Sequence, residues 1–511
     1  MVFRGENMNT RNYSRQEIVE SVPQKGFFGH PKGLSTLFFT EFWERFSYYG
    51  MKAILAYYLY YSVSKGGFGL PQGTALQIVS LYGALIYMSG TIGGWIADRI
   101  IGTRHALFYG GILIMFGHIM LTIPGSLTVV MIALLLLIIG TGLLKPNIST
   151  TVGELYDHND RRLDAAFTIF YMGINLGSFL SPFATGYLQT RLGFHFGFAV
   201  AAIGMFIGLV TYFITNKKNL GLAGLSVPNP LRKEEIKRLS IITGIVVIIF
   251  AIILLILQFI GKLSLSSFSV IVTIVGIVLP ICIFVYMLSS NKTHKEERSR
   301  IYSYIPLFIT SVAFWMIQEQ GSTVLANFAD QKTELSLAKL TNGALDFHIP
   351  AAWFQSVNPV FIIMLAPVFA SLWTKLGRHN PSTVYKFALG AIFAGLSYLV
   401  MIIPLNSDAH LIHPIWLVLS FFLITLGELC ISPVGLSVTS KLAPAKFSAQ
   451  MMALWMLSNA TAQSLNSQIV VLFKIISEKE FFLYSGLFTL LIGVILVAIS
   501  PMVKRAMNGV H

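Results

Sequence analysis

Two acids, two bases and a tyrosine pair recur at helical spacing in Glu41-Phe42-Trp43-Glu44-Arg45-Phe46-Ser47-Tyr48-Tyr49-Gly50 and on to Lys52. At about 3.6 residues per turn, Glu41, Glu44, Arg45, Tyr48 and Lys52 fall on one stripe. The segment that carries them, 34–61, is otherwise apolar and aromatic enough to cross a bilayer. A charged side chain at bilayer depth costs roughly 2.5–3.5 kcal/mol on insertion scales, so a facing cluster must line protein or water rather than lipid. Acids beside bases at that depth can hold an ionic solute and can exchange a proton. A helix end with charges snorkelling to the headgroups would look similar, but apolar residues continue from Tyr48 to Tyr61 beyond the charges.

Few other ionisable residues sit in apolar surroundings. Lys145 lies in Gly140-Thr141-Gly142-Leu143-Leu144-Lys145-Pro146-Asn147, where the glycines allow close packing and Pro146 frees a backbone carbonyl; its place near the C-terminal third of that helix is also that of a lysine snorkelling to the cytoplasmic headgroups. Glu319 shares a helical face with Trp315, Gln318 and Ser322. Burial and a neighbouring cation act on such a carboxyl group in opposite senses, which suits a group that gains and loses a proton. Glu428 lies in Gly427-Glu428-Leu429-Cys430-Ile431-Ser432-Pro433, with Ser432 one turn away and Pro433 interrupting the helix. Interrupted helices at depth expose backbone polar groups to whatever fills a cavity. Asn175 and Asn358 are weaker candidates, and Tyr87, Tyr171, Trp315 and Trp455 serve equally as packing aromatics. The cations (Arg45, Lys52, Lys145) come from the first half of the chain and the anions from both halves. A solute with a carboxylate at one end and an ammonium at the other would bridge them.

The elements that must hold these residues follow from composition. The chain has 511 residues, 55% of them hydrophobic and 11% charged, against about 25% charged in ordinary soluble proteins. That balance predicts an all-α polytopic membrane protein. About fourteen apolar segments of spanning length run from 34–61 to 481–502. With the N-terminus inside, roughly 25 basic residues fall on inner loops and roughly 7 on outer ones, which places both termini in the cytoplasm. The basic excess is thereby a topology signal and not a nucleic-acid footprint. The first 32 residues, with Arg4, Asn7, Asn9 and Arg11, lack an apolar signal core, so the first spanning helix is the expected insertion signal. Cys282 and Cys430 both lie in apolar runs, which gives no disulfide framework or metal site.

The expected organisation is a cytoplasmic segment 1–32, a six-helix bundle 33–215, a linker 216–300 and a second six-helix bundle 301–511. The linker holds two helices, Ile241–Ile260 and Leu265–Leu288, with no charge in either span and no evident polar face, which reads as a lipid-facing hairpin. Six plus six helices around a central cavity is the arrangement of the major facilitator superfamily. Gly93-Gly94-Trp95-Ile96-Ala97-Asp98-Arg99-Ile100-Ile101-Gly102-Thr103-Arg104 resembles that superfamily's loop between helices two and three, with two extra residues.

The charged segments resemble the proton-coupled oligopeptide transporter (POT, or PTR) family. The likeness rests on Glu41-x-x-Glu44-Arg45-Phe-x-Tyr48-Tyr49-Gly50, Gly142-x-x-Lys145-Pro146-Asn147, Phe170-Tyr171-x-x-Ile174-Asn175-x-Gly177 and Glu428 through Gly435. It implies uptake of di- and tripeptides driven by an inward proton gradient, in the cell membrane, with no cofactor and by a carrier expected to work as a monomer. It implies proton coupling by Glu41, Glu44, Arg45, Lys145 and Glu319. It further implies a carboxylate contact at Arg45, Lys52 and Lys145, and an amine contact at Glu428, Asn175 and Asn358. Tyr48, Tyr49, Tyr87, Trp315, Trp455 and Ser432 complete the implied peptide site. The second helix, Leu76 to Ile96, has no histidine, unlike animal peptide transporters, so coupling must rest on carboxylates; His118 reads as a packed histidine. Lys52 stands where the family often has arginine, which removes a bidentate clamp. Another small anionic or amphoteric solute such as nitrate is the alternative on the same fold, and Glu428 argues against a purely anionic one. A membrane-embedded enzyme would need a Ser–His pair, a metal cluster or a carboxylate dyad, and only the acids are present.

Overall fold

The computed structural model describes residues 13–157, 160–262, 264–407, 410–444 and 446–509. Arg4, Asn7, Asn9 and Arg11 of the polar N-terminal segment lie outside the described residues. A short helix α1 (Arg15–Ser21) precedes six long ones: α2 (Lys32–Tyr60), α3 (Gln72–Ile96), α4 (Thr103–Thr122), α5 (Leu127–Glu154), α6 (Leu163–Leu192) and α7 (Phe194–Asn219). The inserted pair is α8 (Lys233–Phe259) and α9 (Leu265–Ser289). Then follow α10 (Lys295–Glu319), α11 (Val324–Lys332), α12 (Leu337–Leu340), α13 (Val357–Leu376), α14 (Thr383–Leu399) and α15 (Ile402–Leu405). The last three are α16 (Ile415–Leu442), α17 (Ser448–Ile469) and α18 (Glu478–Ala506). Among the described residues the only β contacts are three isolated bridges.

Among the described residues eleven helices are long and apolar enough to cross a membrane. Two of the remaining long helices, α2 and α17, miss that criterion for a reason that matters: one carries the charged stripe, the other a run of Ser, Thr, Asn and Gln. In lipid, polar side chains must find partners inside the protein, and both helices are buried over most of their length.

The helices of the first half pack chiefly on one another, α4 along α5 and α7, and α2 along α6 and α7. In the second half α14 packs on α16 and α18, and α10 on α17 and α18. The halves meet where α3 runs beside α17 and α6 beside α13. Connections at one end of the molecule carry Arg99, Arg162, Lys217 and the Lys295–Arg300 stretch, and this basic end is also where Ser299 donates to the Ala506 carbonyl at 2.8 Å. Tyr60, Gln72, Phe194 and Asp330 mark the opposite, far end.

The inserted pair departs from the sequence expectation. Helix α8 does present an apolar flank, with Ile248, Ile252 and Phe259 exposed. Helix α9 instead lays a stripe of Ser269, Thr273 and Gly276 against α17 and α3. Its hydroxyl groups were invisible to a reading based on charge, because serine and threonine in a spanning helix ordinarily bond back to their own helix.

Candidate functional site: a charged cavity between the two halves

Helix α2 presents its stripe inward. Arg45 Nε donates to Glu44 and lies 3.2 Å from Glu41 Oε1, while its guanidinium sits 5.1 Å from the Tyr48 ring centroid. All three charged side chains are buried, and Glu41 Oε2, Glu44 Oε1 and Arg45 Nη2 have no hydrogen-bond partner among the described residues. Two carboxylates thus share one guanidinium. Helix α6 reaches this point because Gly177 faces the α2 backbone; a Cβ there would stand 2.5 Å from the Phe42 carbonyl oxygen. That close approach brings Asn175 and Ser178 to the same cavity.

Lys52, two turns further along α2, donates to Glu319 of α10 at 2.8 Å, with both groups buried. Glu319 also accepts from Tyr87 of α3 at 3.2 Å, and from Asn459 and Gln463 of α17 at 3.0 and 2.6 Å. Four donors from three helices therefore converge on one carboxylate. Helix α10 ends at this residue. Gln320–Ser322 form a single 3₁₀ turn before α11, and Gln355 Nε2 satisfies the freed Gly321 carbonyl at 2.7 Å. Breaking a buried ion pair by removing one partner costs about 3–5 kcal/mol, because the other charge stays buried. Lys52→Ala is therefore expected to lower thermal stability in detergent by about 3 kcal/mol, with Glu319→Gln in the same chain recovering most of the loss. A double-mutant cycle on thermal unfolding reads this directly, and additive losses would refute the pairing.

Lys145 on α5 lies 4.4 Å from the Tyr87 ring centroid and makes no ion pair among the described residues. Across the cavity, Glu428 Oε2 on α16 accepts from Asn358 on α13 at 3.0 Å and from Gln318 on α10 at 3.3 Å. Asn358 Nδ2 also reaches Thr425 Oγ1 at 3.0 Å, and Asn175 Nδ2 is held by its own helix at the Tyr171 carbonyl, 3.0 Å away. The cavity these groups line has a volume of about 270 Å³. Glu41, Arg45, Tyr48, Tyr49, Lys52, Tyr87, Lys145, Asn175, Trp315, Glu319, Asn358, Glu428 and Ser432 all face it. Glu44 and Trp455 stand behind its wall: Glu44 is fully buried, and the Trp455 indole packs against Gly435 and Trp315. Tyr171, in the third turn of α6, lines the cavity and is 44% exposed, and a second cavity that shares Tyr87 and Lys145 runs past Gly94 to Asp98, beside Arg99 of the basic end.

Three site residues were not singled out from the sequence. Asn459 and Gln463 hold Glu319, and their i, i+4 spacing in an otherwise small-residue helix was the available signal. Gln355 lies on the 3₁₀ turn before α13, where no periodicity marks it.

The far end is tied shut across the halves. Tyr57 donates to the Ala326 carbonyl at 3.1 Å, Tyr60 to Asp330 at 2.8 Å, and Tyr61 also to Asp330. Trp353 Nε1 donates to the Phe183 carbonyl at 3.2 Å and Ser356 to that of Phe179 at 2.7 Å.

Comparison with known proteins places this arrangement. The family profile described as PTR2, POT family, matches residues 104–487. The chain is 54% identical over 496 residues to an uncharacterised transporter, YclF, of Bacillus subtilis (strain 168), covering 97% of this chain and 99% of that protein. It is 44% identical over 494 residues to a di-/tripeptide transporter of Lactococcus lactis subsp. cremoris, covering 96% and 99%. A crystal structure of a peptide transporter POT in complex with sulfate superposes with a TM-score of 0.93 at 56% identity, covering 98% of this chain and 100% of that one. A POT family transporter in complex with a thioalcohol-conjugated peptide gives a TM-score of 0.91 at 45% identity, covering 95% and 99%.

Proposed function

Because the chain belongs to the POT family, with the major facilitator fold of a multi-pass cell-membrane transporter, we propose that it carries di- and tripeptides into the cell together with protons. The supporting observation is the distribution of charge around one cavity. The unpartnered Arg45 Nη2 and the unpaired Lys145 face it from the first half, and Glu428, held only by amides, faces it from the second. A zwitterion the length of a short peptide complements both walls, so binding favours the closure of one bundle on the other. A purely anionic solute such as nitrate would leave Glu428 as a buried repulsive wall, and that reading is not favoured.

In this reading both termini and the basic end are cytoplasmic, α2, α8 and α17 also span the membrane, and 33–215 and 301–511 rock as two bundles with 216–300 between them. The state described here is then closed outward and open inward. The peptide carboxylate lies at Arg45 and Lys145, its ammonium at Glu428 and Asn358, and Tyr48, Tyr49, Tyr87 and Trp315 flank the side chains. A proton reaching Glu319 from outside removes the ion pair with Lys52 and loosens the far-end closure. Its release to the cytoplasm restores the pair. Inverting a two-state equilibrium from 1:99 to 99:1 needs about 5.5 kcal/mol, and breaking one buried ion pair supplies about 3–5 kcal/mol of it. Glu41 and Glu44 share Arg45 with one negative charge in excess, a second place for a proton. One bundle pair encloses a complete cavity, which accords with function as a monomer.

The test is uptake of labelled dialanine by the purified protein in liposomes. An inward proton gradient is expected to drive accumulation above the external concentration. Uptake that ignores the gradient would sink proton coupling, and no uptake of any di- or tripeptide would sink the substrate class.

A further inference from the structure

Helix α17 has polar residues on two faces. Asn459, Gln463 and Asn466 turn toward α10: the first two donate to Glu319, and Asn466 Nδ2 donates to the Met316 carbonyl at 2.9 Å while its Oδ1 accepts from Gln320 at 2.8 Å. Thr461, Ser464, Ser467 and Gln468 turn the other way, toward α9. Helices in lipid have no hydrophobic force to fix their rotation, because lipid is as apolar as a leucine-rich neighbour. Rotation and depth of α17 must therefore be set by hydrogen bonds and close packing.

Helix α9 supplies them. Thr461 donates to the Gly276 carbonyl at 2.7 Å, Thr273 donates to the Ser464 carbonyl at 2.9 Å, and the Ser269 and Ser467 hydroxyls are 2.8 Å apart. Gln468 Nε2 donates to Ser269 at 2.6 Å and to Thr273 at 3.1 Å. Ser269, Thr273 and Gly276 repeat at i, i+4, i+7 and so form one continuous edge. From the first half, Gln77 of α3 closes the same seam, donating to Ser269 at 3.2 Å and to the Ser467 carbonyl at 3.0 Å. Gly83 of α3 leaves room for the Gln463 amide, since a Cβ there would meet Nε2 at 2.6 Å.

We propose that the inserted helix α9 is a positioning element for the proton site, with Ser269 and Thr273 fixing the register of α17 at which Asn459 and Gln463 hold Glu319. A one-residue rotation of α17, about 100°, would carry both amides away from the carboxylate. The charged and titratable groups that face Glu319 from the other elements are Lys52, Tyr48 and Tyr49 of α2, Tyr87 of α3, Lys145 of α5 and Glu428 of α16. None of these lies on α9, so α9 acts on Glu319 indirectly, chiefly through α17, where most of its hydrogen bonds fall, and secondarily through its contacts with α3 and α10. Helix α9 is then part of the coupling machinery, while α8 supplies the exposed apolar flank of the pair.

The test uses the full chain in liposomes with two readouts, proton-driven accumulation of dialanine and dialanine counterflow without a gradient. In Ser269→Ala/Thr273→Val, accumulation is expected to fall roughly five- to tenfold, from the loss of several hydrogen bonds, while counterflow stays within about twofold. Restoring a hydroxyl with Thr273→Ser in the Ser269→Ala chain is expected to return most of the accumulation. Equal losses in both readouts, as a merely structural role would give, or no loss in either, would overturn the proposal. If the double variant does not reach the membrane, the near-isosteric Thr273→Val alone is read by the same pattern. The inference rests on Glu319 as a proton site. Wild-type accumulation that ignores the gradient sinks that premise, whereas gradient-driven wild type with an unaffected variant sinks only the positioning role.

Discussion

Glu319→Gln is expected to abolish gradient-driven accumulation of dialanine while leaving counterflow exchange in place. The substitution keeps the shape of the side chain and a carbonyl oxygen that Asn459, Gln463 or Tyr87 can still reach. What it removes is the charge that holds Lys52 across the two halves and the ability to lose that charge to a proton. The far-end closure then no longer depends on protonation, and the two directions of transport become equivalent. Counterflow, which needs only the loaded carrier to reorient, loses nothing that depends on a proton step. Since removing one partner of a buried ion pair costs about 3–5 kcal/mol, and the variant makes that change permanent where the wild type switches it with a proton, the loss of accumulation should exceed about tenfold. Parallel measurement of the two modes in liposomes checks it. Accumulation that survives in the variant would move the coupling proton elsewhere, to the Glu41–Glu44–Arg45 cluster.

The parts of the site legible in the sequence were those where charge violates its surroundings. Glu41, Arg45, Lys52, Glu319 and Glu428 stand out because apolar neighbours on both sides disfavour a surface reading, whereas Lys145 is separated from a snorkelling lysine only by its place beside Tyr87 in the cavity. Asn358 and Ser432 were legible through the prolines beside them, although the expected interruption is absent: α16 runs unbroken through Pro433, and Pro359 sits in the first turn of α13, where its missing N–H costs no helical bond. The break after Glu319 was not legible. Gly321-Ser322 is ordinary spanning-helix composition, and the break depends on Gln355 arriving from another element to take up the Gly321 carbonyl. Trp455 was legible as an aromatic in the right helix, but its place behind the wall is decided by Gly435, whose missing side chain admits the indole. The α9 seam was the least legible. Thr273 also bonds back to the Ser269 carbonyl of its own helix at 2.8 Å, so its outward partner shows only when α17 is placed beside it. Uncharged polar contacts are short in range and take their meaning from a neighbour that sequence order does not supply.

The same reasoning makes Glu428 the sharpest test of substrate chemistry. Its carboxylate oxygen accepts from two amides, Asn358 and Gln318, and it forms no ion pair among the described residues. A buried carboxylate with only neutral donors is undercompensated, and the cation that completes it has to arrive with the solute. A peptide ammonium does this through a charge-assisted hydrogen bond, which contributes about 1.5–3 kcal/mol against about 0.5–1.5 kcal/mol for a neutral one. Glu428→Gln is therefore expected to weaken dialanine binding by roughly five- to fifteenfold. Its side-chain size is unchanged, so the Asn358 and Gln318 contacts have an oxygen to meet. The effect should be selective. N-acetyl-dialanine, which has no ammonium, is expected to bind the wild-type chain poorly and the variant no worse, so the preference for the free amine collapses. Binding isotherms of both ligands on both chains measure it. A variant that keeps dialanine affinity and still rejects the acetylated peptide would place the amine contact at another residue and leave Glu428 a structural acid.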